Sequence, residues 1–172
     1  MSRSAMPPAR LLYSAARLSW PGGEARAACG RSGVRPDKRE GDGASPAGAF
    51  PLLSAFYRPD RLAPPRTGLS LTPLQPGHWW VDDPGDTNYN RLVTLPYQAH
   101  GEAMWRQDEL YDILVVIGYN ADPVVPGAGS AIFLHVAGPD LSPTEGCIAV
   151  AREVLVRVMA LLGPGSTITI RG

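Results

Sequence analysis

Two side chains in the second half of the chain carry the elements of a nucleophilic site. His135 lies near the end of the apolar run 131–136, and Cys147 follows the glycine that opens the apolar run 146–150. Both runs have the composition of strands, and a short loop joins them. If the two strands lie side by side, the imidazole and the thiol face each other across this loop. A thiol beside an imidazole is the minimum that a cysteine nucleophile requires.

Each member of this pair also has a structural interpretation. A histidine alone is more often a buried structural residue than a catalyst, and it is the pairing of His135 with Cys147 and Gly146 that favours catalysis. A reactive cysteine needs a pKa below that of a free thiol (~8.5), and a neighbouring imidazolium can supply this shift. Zinc binding by Cys29, His100, His135 and Cys147 is disfavoured, because no two of them have the close spacing of a structural zinc site. The pattern therefore predicts a thiol mechanism with no metal and no cofactor.

Length and charge limit the class of protein. The 172 residues fit one domain, and 16 basic against 16 acidic residues give a net charge of zero, which argues against nucleic-acid binding. No run of 18 apolar residues is present, so no membrane span is predicted. The first 20 residues lack the continuous apolar region of a secretory signal. The two cysteines are not a disulfide framework, and Cys29 is predicted to be a small buried residue.

The 19 glycines and 18 prolines indicate many turns and a mostly β fold (β-rich α+β). Apolar residues at helical spacing predict one well-formed helix at 152–162, which a Gly-Pro-Gly stop ends. A second, short helix is predicted at 98–110. Pro51 favours an edge position for its strand. Strands are predicted at 10–20, 25–29, 49–53, 111–119 and 166–170.

The order of strand, histidine, loop, Thr-x-Gly-Cys, strand, helix and strand resembles the L,D-transpeptidase catalytic domain, the YkuD type. Residues 43–50 (Gly-Ala-Ser-Pro-Ala-Gly-Ala-Phe) resemble the TP.G.F segment of that family. The resemblance covers about residues 25 to 171. It divides the single domain into an N-terminal segment with the first strand, 1–24, and a catalytic part, 25–172. Stretches that resemble a small stand-alone proteobacterial branch lie at 38–43, 57–61, 80–84, 89–91, 110–112 and 129–135.

The resemblance implies a β-sandwich or barrel that catalyses acyl transfer on peptidoglycan stem peptides. Cys147 would attack the carbonyl at the L-centre of the third stem residue, with His135 as the base. Gly146 would let the backbone approach the oxyanion, with the amide N–H groups of Gly146 and Cys147 as donors. The family's histidine is commonly oriented by a backbone carbonyl, which Val136 or Gly138 would supply here.

Two positions depart from the family pattern. Glu145 stands where the family often has histidine, and Ala149 stands where it often has arginine or asparagine. Thr144 and Glu145 are assigned to substrate contacts, with a turn hydroxyl and an exposed loop residue as the alternatives. Arg39 and Arg58 are assigned to substrate binding as replacements for the missing charge. The full set of candidates for that replacement is Lys38, Arg39, Arg58 and Arg61.

Three functions are compatible with these residues. The first is an L,D-transpeptidase, and the second is a hydrolase on the same scaffold, either an L,D-carboxypeptidase or a linkage-cleaving amidase. The third is a non-catalytic module that binds the cell wall. The substrate implies the periplasm or cell envelope, whereas the lack of a visible export signal leaves the cytoplasm open. The sequence makes no prediction of oligomeric state.

Overall fold

The computed structural model describes residues 7–172, so residues 1–6 of the predicted segment 1–24 lie outside the described part. Its fold is mostly β, with a nearly closed, barrel-like sheet and one α-helix near the C-terminus, which confirms the predicted fold class. The helix α1 spans Arg152–Met159, and a short 3₁₀ turn lies at Pro139–Leu141. The strands are β1 (Arg10–Ser14), β2 (Arg17–Trp20), β3 (Gly23–Arg26), β4 (Val34–Arg35), β5 (Ser45–Pro46), β6 (Gly48–Tyr57), β7 (Leu71–Pro73), β8 (His78–Val81), β9 (Leu92–Thr94), β10 (Gly101–Ala103), β11 (Ile113–Ile117), β12 (Phe133–Val136), β13 (Ile148–Val150) and β14 (Thr167–Ile170).

The main sheet runs in the order β13-β12-β11-β6-β14-β1-β2-β3, and β7 pairs with β6. Its two ends meet through a bridge, in which the Ala28 amide donates to the Ala149 carbonyl (2.8 Å) and the Ala149 amide donates back (3.0 Å). This bridge nearly closes the sheet into a barrel and satisfies backbone groups that an open edge would leave unpaired. A smaller sheet, β10-β8-β9, packs over one face.

The strands β11 and β12 are buried on both faces, because successive side chains point to opposite sides of a strand. One set of side chains enters the first core, beneath α1, and the other enters the second core, beneath the smaller sheet. The first core includes Leu11, Val115, Leu134, Leu155 and Ile168. The second core includes Trp80, Met104, Leu114, Phe133 and Cys147.

The helix α1 covers the first core with four buried side chains, Val154, Leu155, Val158 and Met159. Their spacing of one, three and four residues places them on one face, which agrees with the predicted helix. The α-helix ends three residues earlier than the sequence suggested. Within residues 7–172, no helix has the length and the apolar character to cross a membrane.

The predicted helix at 98–110 is wrong. Gly101–Ala103 forms β10 and pairs with β8, and Met104 extends this pairing by donating its amide to the His78 carbonyl (3.0 Å). The following residues form turns and not a helix, since the Asp108 carboxylate accepts from the Arg106 guanidinium (2.8 Å) and from the Leu110 amide (3.2 Å). Such local side-chain bonds compete with helix formation.

The predicted edge position of Pro51 is also wrong, because β6 lies between β11 and β14 in the interior of the main sheet. Proline is tolerated there because β11 has ended at this level. Opposite Pro51, the Gly118 amide donates to the proline carbonyl (2.7 Å), and the pairing of β6 with β11 shifts register just before this point. A missing amide hydrogen at the end of a ladder costs little.

A buried carboxylate joins the start of β11 to the start of α1. The side chain of Asp112 is 1% exposed and accepts from Arg61 (2.7 Å) and from Arg152, which is the first residue of α1. A buried charge is tolerated when its partners satisfy it, and removal of one side leaves the other unpaired. This cluster therefore fixes the helix against the central strand.

We expect Asp112→Asn to lower the free energy of unfolding by about 2–3 kcal/mol, because two guanidinium groups lose a buried partner. Urea denaturation followed by tryptophan fluorescence measures the change. Glu24→Gln is the matched control, since Glu24 forms an exposed pair with Arg17 (2.9 Å), and it should alter the free energy of unfolding by less than about 0.5 kcal/mol. Equal effects of the two substitutions would contradict a structural role for Asp112.

Candidate active site

The candidate nucleophile and base lie on neighbouring parallel strands. His135 is the third residue of β12 and is in register with Ala149 of β13, and Cys147 immediately precedes β13. His135 and Phe133 share the face of β12 that is turned away from the first core. Both candidate residues line one cleft of about 460 Å³. The structure thus places the imidazole and the thiol in the same cleft.

A tight turn holds the backbone of the nucleophile. The Thr144 hydroxyl donates to the Cys147 carbonyl (2.6 Å) and accepts from the Gly146 amide (3.1 Å). Gly146 has φ +144, and a Cβ at this position would lie 2.8 Å from the Ala44 carbonyl oxygen, so the turn requires glycine. The Ser45 hydroxyl donates to the Gly146 carbonyl (2.7 Å). Residues of the TP.G.F-like segment therefore support the turn.

The thiol of Cys147 is buried and hydrogen-bonded to the backbone of the neighbouring strand. It donates to the Ala131 carbonyl (3.2 Å) and accepts from the Phe133 amide (3.3 Å). Burial and, to a lesser extent, the nearby Glu102 carboxylate raise the pKa of Cys147 to about 12, against smaller opposing effects. The nucleophile is therefore a neutral thiol at physiological pH.

The imidazole of His135 has a fixed tautomer. Nδ1 lies 2.7 Å from the Val136 carbonyl oxygen, which can only accept, so Nδ1 carries the hydrogen and Nε2 has the free lone pair. The Tyr111 ring packs edge-on against it, with 5.3 Å between ring centroids. Burial lowers the pKa of His135 to about 4, so the ring is neutral near pH 7. Nε2 is thus prepared to accept a proton.

The expectation that a neighbouring imidazolium lowers the thiol pKa is wrong for this structure. Burial favours the neutral form of both groups, and it outweighs the hydrogen bonds that favour the charged forms. Among residues 7–172, no hydrogen bond joins His135 to Cys147, because the thiol hydrogen is directed to Ala131. Proton transfer therefore requires the thiol to turn away from this carbonyl.

Charged groups of both signs line the cleft. The Glu102 carboxylate accepts from the Tyr111 hydroxyl and lies 3.8 Å from Nη1 of Arg106. Burial raises the pKa of Glu102, although the Tyr111 hydrogen bond and Arg106 oppose that shift. Arg106 lies over the Tyr111 ring, 5.1 Å from its centroid, and is also bonded to Asp108. These residues line the cleft together with Thr144 and the residues near it.

Thr144 and Glu145, assigned to substrate contacts, both line the cleft. The Thr144 hydroxyl is used within the turn, as donor and as acceptor. The Glu145 side chain is 82% exposed and pairs with Arg31 (3.0 Å). A contact of Glu145 with substrate would therefore occur at the rim of the cleft.

Arg39 and Arg58, assigned to substrate binding, do not line this cleft. Arg39 is exposed on the loop that leads to it. Arg58 is buried, stacks on Trp105 at 3.8 Å and makes a double hydrogen bond to Asp60. These contacts give Arg58 a packing role in the fold. Of the four cations considered as replacements for the missing charge, Lys38 is the one that lines the cleft.

The four residues considered for zinc do not come together. Cys29 packs against the first core, whereas Cys147 belongs to the second core, and both are free cysteines. His100 is exposed and pairs with Asp82. In the described part of the chain, no three His, Cys, Asp or Glu side chains are arranged to hold a metal ion.

Glu102 and Arg106 were missed as residues of the cleft, because the sequence placed them on a helix. A strand directs alternate residues to the same side, so Glu102 and Met104 share one side of β10 and its extension, whereas in a helix they would lie on nearly opposite sides. The ring of Tyr111, which the sequence places at the start of a predicted strand, contacts His135, and its hydroxyl binds Glu102. The sequence signal that could have indicated a strand at this point is the pair of adjacent tryptophans in β8. The strand β10 pairs with β8 at these residues.

A family model described as the L,D-transpeptidase catalytic domain matches residues 9–170. The matched region begins one residue before β1, whereas the resemblance found in the sequence begins at about residue 25. No curated protein matches the chain.

We expect Cys147 to react slowly with iodoacetamide at neutral pH, because burial raises its pKa to about 12. In Cys29→Ser, where Cys147 is the remaining thiol, alkylation at pH 7.5 should be at least ~10-fold slower than that of N-acetylcysteine. The rate should keep rising with pH up to about pH 10. Cys147→Ala in the same background is the blank. A plateau with a midpoint below pH 7 would contradict a neutral resting thiol.

Proposed function

This chain belongs to the L,D-transpeptidase catalytic-domain family, and we propose that it is a cysteine acyltransferase acting on peptidoglycan stem peptides. The observation that carries the proposal is the presence in one cleft of an oriented imidazole on β12 and a thiol just before the parallel neighbour β13. That arrangement supports a thioester mechanism, and the family supplies the substrate class.

The first half of the reaction transfers the acyl group to sulfur. His135 Nε2 takes the thiol proton of Cys147, and the sulfur attacks the acyl carbonyl at the L-centre of the third stem residue. The carbon–sulfur bond forms, the carbon–nitrogen bond breaks, and His135 returns the proton to the leaving amine of D-Ala. The Nδ1 hydrogen bond to Val136 keeps Nε2 as the base throughout.

The second half resolves the thioester. An amine of a second stem attacks the same carbonyl, and His135 removes its proton as the carbon–nitrogen bond forms. The carbon–sulfur bond then breaks, and His135 returns the proton to the sulfur of Cys147. Water in place of the amine gives hydrolysis, so the acceptor decides between a transpeptidase and an L,D-carboxypeptidase. The charges of both signs along the cleft support a peptide substrate that itself carries carboxylate and ammonium groups.

Incubation with purified tetrapeptide muropeptides, followed by mass spectrometry, tests this function. We expect cross-linked dimers from the wild type, no turnover by Cys147→Ala, and a loss of about 10²–10⁴-fold for His135→Asn, which removes the base. Cys29→Ser is the control and should match the wild type. Tripeptide monomers alone would show a hydrolase, and the absence of both products would contradict the enzyme.

We also propose that the protein acts in the periplasm or cell envelope, because peptidoglycan lies outside the cytoplasmic membrane. A tag placed after the exposed Gly172 allows the protein to be followed by cell fractionation. Recovery with the periplasmic or envelope fraction is the expected result. Retention in the cytoplasm would contradict this location and would favour recycled muropeptides as the substrate.

A further inference from the structure

We propose that Lys38 is a catalytic residue, whose ammonium is the second hydrogen-bond donor to the oxyanion formed when Cys147 attacks an acyl carbonyl. This inference rests on the proposed acyl-transfer function and adds a residue to it. The cation comes from the loop before β5, more than 100 positions away from the nucleophile in the sequence.

Two glycines lie next to the Lys38 side chain beside the nucleophile, and Gly129 leaves the room that this side chain needs. A Cβ at Gly129 would lie 2.9 Å from Lys38 Cε, and a Cβ at Gly146 would lie 3.4 Å from Lys38 Nζ. The side chain is only 4% exposed, yet Lys38 lines the same cleft as Cys147. The ammonium therefore lies beside Gly146, the residue that precedes the nucleophile.

Lys38 Nζ is held in place and keeps one donor free. It donates to Asp42 Oδ1 (2.9 Å) and to the Arg39 carbonyl (3.4 Å). The Asp42 carboxylate is itself fixed by the amides of Arg39 (2.8 Å) and Ala44 (2.9 Å). An ammonium has three N–H donors, and within residues 7–172 the third has no acceptor. A fixed donor of this kind needs no reorganisation during the reaction.

The backbone supplies only one of the two amides expected from the resemblance. The Gly146 amide is already bonded to the Thr144 hydroxyl (3.1 Å), which corrects the expectation that it serves the oxyanion. The Cys147 amide has no acceptor in the described residues. An oxyanion at Cys147 thus has one free amide, and Lys38 is the nearby cation with a free donor.

The charges around the thiol agree with this assignment. Glu102 opposes negative charge at Cys147, whereas Lys38 and Arg106 favour it, as the causes of its pKa shift show. Arg106 is committed to Asp108 by a double hydrogen bond. Asp42 balances the charge of Lys38 at long range, but the free N–H can still donate at short range.

The electron pairs and the proton balance in this step. As the carbon–sulfur bond forms, the thiol proton passes to His135 and the carbonyl π pair moves to oxygen, which accepts from the Cys147 amide and from Lys38 Nζ. When the pair returns, the carbon–nitrogen bond breaks and the amine takes the proton from His135. Lys38 keeps its own protons, so its effect is purely electrostatic.

Two reagents separate this role from a structural one. The p-nitrophenyl ester of N-acetyl-L-alanine acylates the thiol through an oxyanion, whereas iodoacetamide alkylates it without one. In the Cys29→Ser background, we expect Lys38→Met to lower the acylation rate constant by about 100-fold. Alkylation should change by less than about 5-fold, because the thiol itself is retained. Lys38→Arg should recover part of the acylation rate, since it restores a cation.

Every other outcome overturns the assignment. Equal losses in both reactions would show that Lys38 acts on the thiol or on the fold, and unchanged rates would show that it has no role. Thermal unfolding checks that Lys38→Met is folded, and Lys38→Gln replaces it if it is not. A wild-type protein that is alkylated but never acylated would instead contradict the proposed function, whatever the variants show.

Discussion

The burial of β12 on both faces is the constraint on which the site depends. Leu134 and Val136 enter the first core, so Phe133 and His135 must face the other way. The parallel pairing with β13 then brings Cys147 to the same side. A shift of one residue in register would exchange the two faces and would bury the imidazole among the aliphatic side chains beneath α1. Packing, and not the loop between the strands, therefore determines where the two reactive groups meet.

The same burial sets the chemical state of the pair. A desolvated thiol and a desolvated imidazole both prefer their neutral forms, and here each finds a backbone carbonyl for its hydrogen. The thiol of Cys147 is thus protonated in the resting site, and this limits its oxidation. Under the proposed acyl transfer, the thiol becomes reactive when substrate displaces it from the Ala131 carbonyl. Fixed hydrogen-bond donors beside the sulfur are effective in such a site, because negative charge develops only during the reaction.

Periodicity and motif spacing predicted much of this protein, because they report on local structure. The central strand, the C-terminal helix and the strands that carry the candidate nucleophile and base all follow from alternation or from helical spacing within a few residues. The predictions for 98–110 and Pro51 failed because their outcome depends on distant partners, namely β8 for the first and the end of β11 for the second. The assignment of Arg58 faced the same difficulty. Whether a guanidinium binds substrate or stacks on Trp105 is decided by residues almost 50 positions away, which no local pattern reveals.

The bridge between Ala28 and Ala149 has a consequence for how the molecule opens. The segment after β3 is hydrogen-bonded on both sides of the nucleophile, to Ala149 through Ala28 and to Thr144 through Arg31 (2.7 Å). The earliest strands and the reactive turn therefore belong to one cooperative unit, which opens together or not at all. Backbone amides of β1, β2 and β3 should therefore exchange with solvent together with those of the turn that carries Cys147. A protein shortened to begin after β3 would lose three strands of the sheet, so β1, β2 and β3 support the candidate site as much as the turn that carries the thiol does.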